Sequence, residues 1–167
     1  MDEILTPRLR LRRARPDDLA AMHAVLSHPV AMRYWSTLPH ATPEVTRAWL
    51  AGMISAPSDS LDYVVEFQGR VVGKAGMWRL PEIGFILHPD VWGQGLAFEA
   101  ADAVIRQAFA RPEVTELVAD VDPRNAASRA LLDRLGFKET GRASRTFQLG
   151  DEWCDSIFLS LRRPPSA

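Results

Sequence analysis

Cross-linking and chelation have little to work with in this chain. Its 167 residues include one cysteine, Cys154, which excludes an intramolecular disulfide and a cysteine-based zinc cluster. No metal-ligand spacing of histidines or carboxylates takes its place, so no metal is expected. No apolar run approaches the roughly 18 residues of a membrane span. The opening residues MDEILTPRLRLRR lack the apolar centre of a secretion signal, so the expectation is a cytoplasmic protein with no membrane partner. An excess of one charge is missing too. Twenty basic side chains stand against 21 acidic ones, a net charge of −1, which argues against a nucleic-acid partner. Lysine is nearly absent: Lys74 and Lys138 stand against 18 arginines. Arginine suits phosphate and carboxylate contacts, although the skew, with abundant alanine, is read first as genome composition.

What is present is an ordinary globular balance, 47% hydrophobic and 25% charged, sufficient for a single domain over 1–167 with a sizeable core. Alternation over 8–13 predicts a half-buried strand. Arg15-Pro16-Asp17-Asp18 opens a helix with Leu19, Met22, Val25 and Leu26 behind it, proline early and acids in the first turn. Thr42-Pro43-Glu44 caps a second helix running to about Ser55. Strands follow at 61–67, 71–78 and 81–87, the first two forming a hairpin about Gln68-Gly69-Arg70. From Gly95 to about Ala110 the period turns helical, with Ala97, Ala100, Ala101, Val104, Ile105 and Ala108 on one stripe. A strand at 115–121, a helix over 126–135 stopped by Gly136, and a hairpin of 137–149 with 152–161 complete the chain. The tail from Arg162 to Ala167 is expected to fray.

Chemistry concentrates between Glu82 and Glu99. A strand ends near Leu87, and a loop carrying Gly93 and Gly95 delivers the chain into a helix. Amide N–H groups at such a start favour an anion, and glycine lets the backbone approach it closely. A phosphate-bearing ligand is one reading; a structural turn with no ligand is the other. The segment lacks the Gly-Lys-Ser/Thr of a P-loop. It also carries Phe98 where a dinucleotide fingerprint needs a third glycine.

Several stretches in order resemble the GNAT N-acetyltransferases, in particular the RimJ/RimL-like branch. They are Thr6-Pro7-Arg8-Leu9-Arg10-Leu11-Arg12, Glu82-Ile83-Gly84-Phe85, Trp92-Gly93-Gln94-Gly95-Leu96-Ala97-Phe98-Glu99-Ala100, Asn125-Ala126-Ala127-Ser128 and Leu135-Gly136-Phe137. The resemblance implies an α/β (α+β) GNAT fold. Its central sheet would be mixed and mostly antiparallel, with about seven strands flanked by about four helices, splayed after the fourth strand. It implies acetyl-CoA as acetyl donor and a primary amine, on a protein N-terminus or a small molecule, as acceptor, with direct attack in a ternary complex. The arm of the cofactor would pair with backbone at about Ile86, Leu87 and His88. Its pyrophosphate would sit on the loop of Trp92, Gly93, Gln94, Gly95, Leu96, Ala97 and Phe98, and Asn125 would contact the arm. A homodimer is one assembly the resemblance allows.

Acyl transfer to an amine needs a base for the amine, a donor for the oxyanion and a proton for the thiolate. Glu82, partly desolvated on its strand, is the candidate base, with an exposed strand residue as its plainer reading. His88 is the alternative base, or simply the end of a strand. A backbone N–H near Leu87 is the oxyanion donor. Many relatives carry a tyrosine as acid four residues before the Gly-Phe pair, a position held here by Leu132. In the branch a serine matching Ser128 has that task, or only bonds the cofactor sulfur. Arg129 and Arg134 are solvated, or meet the 3′-phosphate. Glu99 offsets the helix dipole, and Trp35 is the aromatic residue chosen to wall the acceptor pocket. A non-catalytic acyl-CoA-binding sensor or scaffold on the same fold is the rival reading.

Overall fold

Strand pairing sets the frame on which every site residue is carried. The computed structural model describes residues 3–165, and among these eight strands make one sheet. They are β1 (Glu3–Leu5), β2 (Leu9–Arg12), β3 (Leu61–Phe67), β4 (Arg70–Arg79), β5 (Glu82–Leu87), β6 (Glu116–Val121), β7 (Lys138–Leu149) and β8 (Glu152–Arg162). Their spatial order is β1-β2-β3-β4-β5-β6-β8-β7. Neighbours run antiparallel except β5 and β6, so the sheet is mixed and mostly antiparallel.

The count exceeds the expected seven by one. The addition is β1, whose three residues are too few to show a period and which exists by pairing with β2. Thr6 closes the turn between them, its Oγ1 accepting from the Leu9 N–H at 2.9 Å. The fourth expected strand is therefore β5, and the sheet opens beside it. β5 and β6 share one register pair, Glu82 with Val118, while β6 keeps its pairing with β8 as far as Val121 and Ile157.

Four helices cover the two faces: α1 (Leu19–Leu26), α2 (Pro43–Ile54), α3 (Leu96–Phe109) and α4 (Ala126–Arg134). The expected stripe on α3 faces inward, with Ala100, Ala101, Val104, Ile105 and Ala108 buried. It joins Leu11, Tyr63, Met77, Leu117 and Phe137 in one core. On the other face Met22, Leu26, Leu50 and Met53 of α1 and α2 pack on Val64 and Ile86. Each such fully buried side chain contributes about 1.5–3 kcal/mol.

Two local features emerge only on folding. Arg12 lies on the polar side of its alternating strand, yet faces protein. It is buried, with Asp18 accepting from its Nη1 and Nη2 at 2.9 and 2.8 Å and Glu66 from its Nε at 2.7 Å. The Asp18 hydrogen bond leads the partners that hold this guanidinium above the ordinary arginine range. The tail is also ordered further than expected. Arg162 ends β8, and the Arg163 N–H donates to the Thr115 carbonyl at 2.8 Å. Ser166 and Ala167 lie outside the described residues.

The stretch between α1 and α2 is pinned at both sides. Thr46 Oγ1 sits 2.7 Å from His23 Nδ1 and 2.8 Å from His40 Nδ1. One hydroxyl carries one proton, so at least one of these rings donates to it. Burial, and after it the charge of His23, pushes the His40 imidazole below its ordinary titration range. Near the middle of the stretch Arg33 pairs with Glu152 of β8 at 3.5 Å. Leu38 reaches to 3.6 Å from where a Cβ on Gly150 would stand.

Candidate active site

A cleft of about 490 Å³ opens where β5 and β6 part. Its floor is the free edge of β5. The His88 N–H bonds back to the Val72 carbonyl of β4 at 2.8 Å. By strand alternation the Leu87 N–H and C=O then face away from β4, into the opening. The Leu87 carbonyl accepts from Trp92 Nε1 at 2.8 Å, which ties the loop to the strand and leaves the Leu87 N–H facing the cleft.

The α3 side is built by backbone. Gly95 is the N-cap of α3 with φ 78° and ψ 10°, a left-handed conformation that glycine adopts without a Cβ penalty. It turns the first amides of α3 toward the cleft, where the helix dipole adds partial positive charge. A tertiary brace holds this turn. Glu99 Oε1 accepts from Thr6 Oγ1 at 2.6 Å and from the Arg8 N–H at 2.9 Å. Its Oε2 accepts from Arg8 Nε at 2.6 Å, while Arg8 Nη1 donates to the Gln94 carbonyl at 2.8 Å. Glu99 thus does more than offset a dipole. It binds the β1–β2 turn to the loop, across some 90 residues of sequence.

Burial pushes the Glu99 carboxyl up, but the bonds from Thr6 and Arg8 outweigh it and hold the group below its ordinary 4.5. A depressed carboxyl stabilises the fold above the ordinary value, and that contribution is lost as pH falls through the lower folded value. Between about pH 5 and pH 3, wild type is therefore expected to lose more stability than Glu99→Gln. Urea midpoints at the two pH values check this; equal acid sensitivity in both proteins would remove Glu99 from the brace.

α4 forms the opposite wall. Asn125 caps it, Oδ1 accepting from the Ser128 N–H at 3.2 Å, so the Asn125 amide NH2 is left for a ligand. Asn125 and Ser128 both line the cleft, as does Arg134, whose guanidinium stands 4.5 Å from the centre of the Phe98 ring. Leu132, one turn beyond Ser128, is 2% exposed and belongs to the core.

Of the residues expected at the site, the fold gathers Ile86, Leu87, Trp92, Gly93 and Gly95 on one side of the cleft. Leu96, Ala97 and Phe98 continue the lining, and Trp35 closes its far end. Three do not join them. Glu82, expected to be partly desolvated, is exposed at the start of β5 opposite Arg79, because it directly follows the β4–β5 turn. His88 turns aside, its Nδ1 accepting from the Asp90 N–H at 3.2 Å and its ring edge-on to His28 at 5.3 Å. Gln94 is not among the lining residues, and its backbone carbonyl accepts from Arg8. Arg129 is likewise elsewhere, bonded to the Pro123 carbonyl at 3.0 Å. Sequence reasoning missed Val30, Ala31, Tyr34 and Phe85, which line the end near Trp35. Tyr34 and Trp35 are adjacent, and the pair of aromatics was the available signal. Among the described residues no group of three or more His, Cys, Asp or Glu is placed to hold a metal ion, and no helix is long and apolar enough to cross a membrane.

A sheet parted beside a glycine-turned helix, with a capped helix opposite, is the geometry of the cleft. The chain belongs to the acetyltransferase (GNAT) domain family, whose model matches residues 8–138, and is an N-acetyltransferase using acetyl-CoA. It is 22% identical over 165 residues, 95% of each chain, to the uncharacterized N-acetyltransferase YnaD of Bacillus subtilis. Its fold is that of a GNAT-family acetyltransferase from Bacillus anthracis, with TM-score 0.84, 24% identity, and 96% and 98% of the two chains covered. It is also that of RimL, the ribosomal L7/L12 α-N-protein acetyltransferase, with TM-score 0.85, 20% identity, and 97% and 94% covered.

Proposed function

We propose that this chain passes the acetyl group of acetyl-CoA directly to a primary amine of a peptide or small molecule, both substrates being bound at once. The observation that carries the reading is the convergence, in one cleft, of the free β5 edge at Leu87, the amides starting α3, and the Asn125–Ser128 turn. The cofactor supplies an acetyl group activated as a thioester. The α3 amides hold its pyrophosphate, with Arg134 as the cationic side chain of the lining. The Asn125 NH2 bonds the arm. The Leu87 N–H is the donor for charge developing on the acetyl oxygen. Ser128 gives a proton to the departing sulfur. Glu82, exposed at the start of β5 and not among the residues that line the cleft, draws the proton from the amine through water. Cys154 is buried in β8 and takes no part.

A panel of primary amines with acetyl-CoA, followed by thiol release and by the mass of the product, tests the reading. Free thiol and acetylated amine are expected in equal amounts. Glu82→Gln is expected to lower kcat at neutral pH by about tenfold to a hundredfold with acetyl-CoA affinity unchanged. Ser128→Ala is expected to slow single turnover. Tight CoA binding with no thiol released to any amine would instead make the chain a sensor.

A further inference from the structure

Leu87 carries the last backbone groups of β5 that face the parting of the sheet. Alternate residues of the strand turn their groups to β4, as the His88 N–H does to the Val72 carbonyl at 2.8 Å. The residues between them face β6. Just before β5 the Pro81 carbonyl accepts from the Val118 N–H at 3.0 Å, and beyond the Glu82–Val118 pair the two strands separate. An open edge of this kind offers an N–H and a C=O side by side. That pair suits an amide or a further strand, which brings one donor and one acceptor. It suits an anion poorly, because the carbonyl oxygen beside the N–H repels negative charge.

Leu87 is the exception. Its carbonyl is taken by Trp92 Nε1 at 2.8 Å, so its N–H faces the cleft alone. An indole N–H donates and never accepts, so this side chain closes the carbonyl and cannot occupy the donor beside it. The chain between the two residues is folded for that bond. Pro89–Val91 form one 3-10 turn, with the Asp90 N–H bonded to His88 Nδ1 at 3.2 Å. The Trp92 backbone N–H closes the turn on the Pro89 carbonyl at 3.1 Å, and Val91, 3% exposed, anchors it in the core. Burial does not account for the indole. Trp92 is 50% exposed while it lines the cleft, and a ring left half in solvent is held here by its polar edge.

We infer that Trp92 is a positioning residue for the oxyanion: by closing the Leu87 carbonyl it converts a strand edge that suits amides into a lone donor for charge on the acetyl oxygen. The inference rests on the transferase reading of the cleft, with the Leu87 N–H as the oxyanion donor. Two effects combine. The bond screens a negative dipole end that would otherwise stand beside the developing charge. It also ties the strand end to the loop, so the Leu87 N–H keeps its direction without a β6 partner.

Infrared difference spectra of acetyl-CoA labelled with carbon-13 at the acetyl carbonyl test this with no acceptor amine present. On wild type the thioester carbonyl band is expected to lie below its position in water. On Trp92→Phe, which keeps a ring and loses the N–H, the band is expected to return toward that position. Acetyl-CoA affinity by calorimetry is expected to stay within about threefold of wild type, and kcat with an amine acetylated in the panel to fall by about tenfold or more. Replacing Trp92 by 3-benzothienylalanine, which keeps the bicyclic shape and exchanges the N–H for sulfur, is expected to act as Trp92→Phe does. A wild-type band in both variants overturns the inference and leaves the transferase standing. So does a wild-type band with the benzothienyl ring alone, since shape and not the N–H would then be what counts. Loss of acetyl-CoA affinity in step with activity overturns it too, because the indole would then only pack on the cofactor. A wild-type band no lower than in water removes Leu87 as the donor and this role with it. Failure to bind acetyl-CoA at all takes down the transferase reading as well.

Discussion

Gly73→Ala is expected to cost this domain more than about 4 kcal/mol, a large fraction of the stability of an ordinary domain. The cause is a bulge. β3 and β4 pair Val65 with Gly73 and then Glu66 with Val71, a register shift that leaves Val72 without a partner in β3. The backbone at Gly73 takes φ 154°, and a Cβ there would stand 2.0 Å from the Ile86 carbonyl oxygen and 2.9 Å from Leu87 Cα. Both neighbours are main chain of β5, so relief requires the strand itself to move. That strand carries the free edge of the cleft, which makes Gly73 a residue of the site's frame although it touches no ligand. Urea unfolding of Gly73→Ala reads the cost; a midpoint within about 1 kcal/mol of wild type would show that β5 shifts freely.

Gly95→Val is expected to act through binding more than through stability. Space is not the first difficulty, since the nearest atom to a Cβ would be Arg8 Nη2 at 3.5 Å. The conformation is: a β-branched residue at φ 78° is an outlier costing about 1–3 kcal/mol. To escape it, the chain must unwind the turn that aims the α3 amides and that Arg8 braces through Gln94. Acetyl-CoA affinity is expected to fall by about tenfold to a hundredfold, roughly 1.4–2.8 kcal/mol. Titration calorimetry gives the affinity, and a urea curve on the same sample gives the stability. Gly95→Asn, whose side chain tolerates this conformation, is expected to retain more affinity than valine. Wild-type affinity in Gly95→Val would place the pyrophosphate away from α3.

Local signals carried the sequence reading far. Helix starts at Pro43, Leu96 and Ala126 directly follow Thr42, Gly95 and Asn125, but of these three residues Asn125 alone has a side chain that bonds an amide of its helix, that of Ser128. The expected Thr42 cap makes no such bond, and α2 starts instead on the preset φ of Pro43. The α3 stripe was legible because one face of a helix is a fixed period. The glycine loop and the Asn125–Ser128 turn were legible because their chemistry lies in contiguous backbone. What escaped depends on partners far along the chain. β1 has three residues and needs β2 to exist. Arg163 is held by Thr115, and Arg12 is buried because Asp18 and Glu66 both reach it.

By itself, then, the sequence determined the order of the elements after β1, the helix boundaries to within a few residues, and the glycine loop and Asn125 cap that line the cleft. Only the tertiary structure decided that Glu82 is exposed, that His88 and Gln94 turn away, and that Tyr34 and Phe85 join Trp35 at the other end. The physical reason is the range of the forces that settle each question. Caps and periodic stripes are decided by hydrogen bonds and burial within a few residues. The direction in which a strand end or a connecting segment points is decided by register, bulges and ion pairs that couple residues as distant as Arg8 and Glu99.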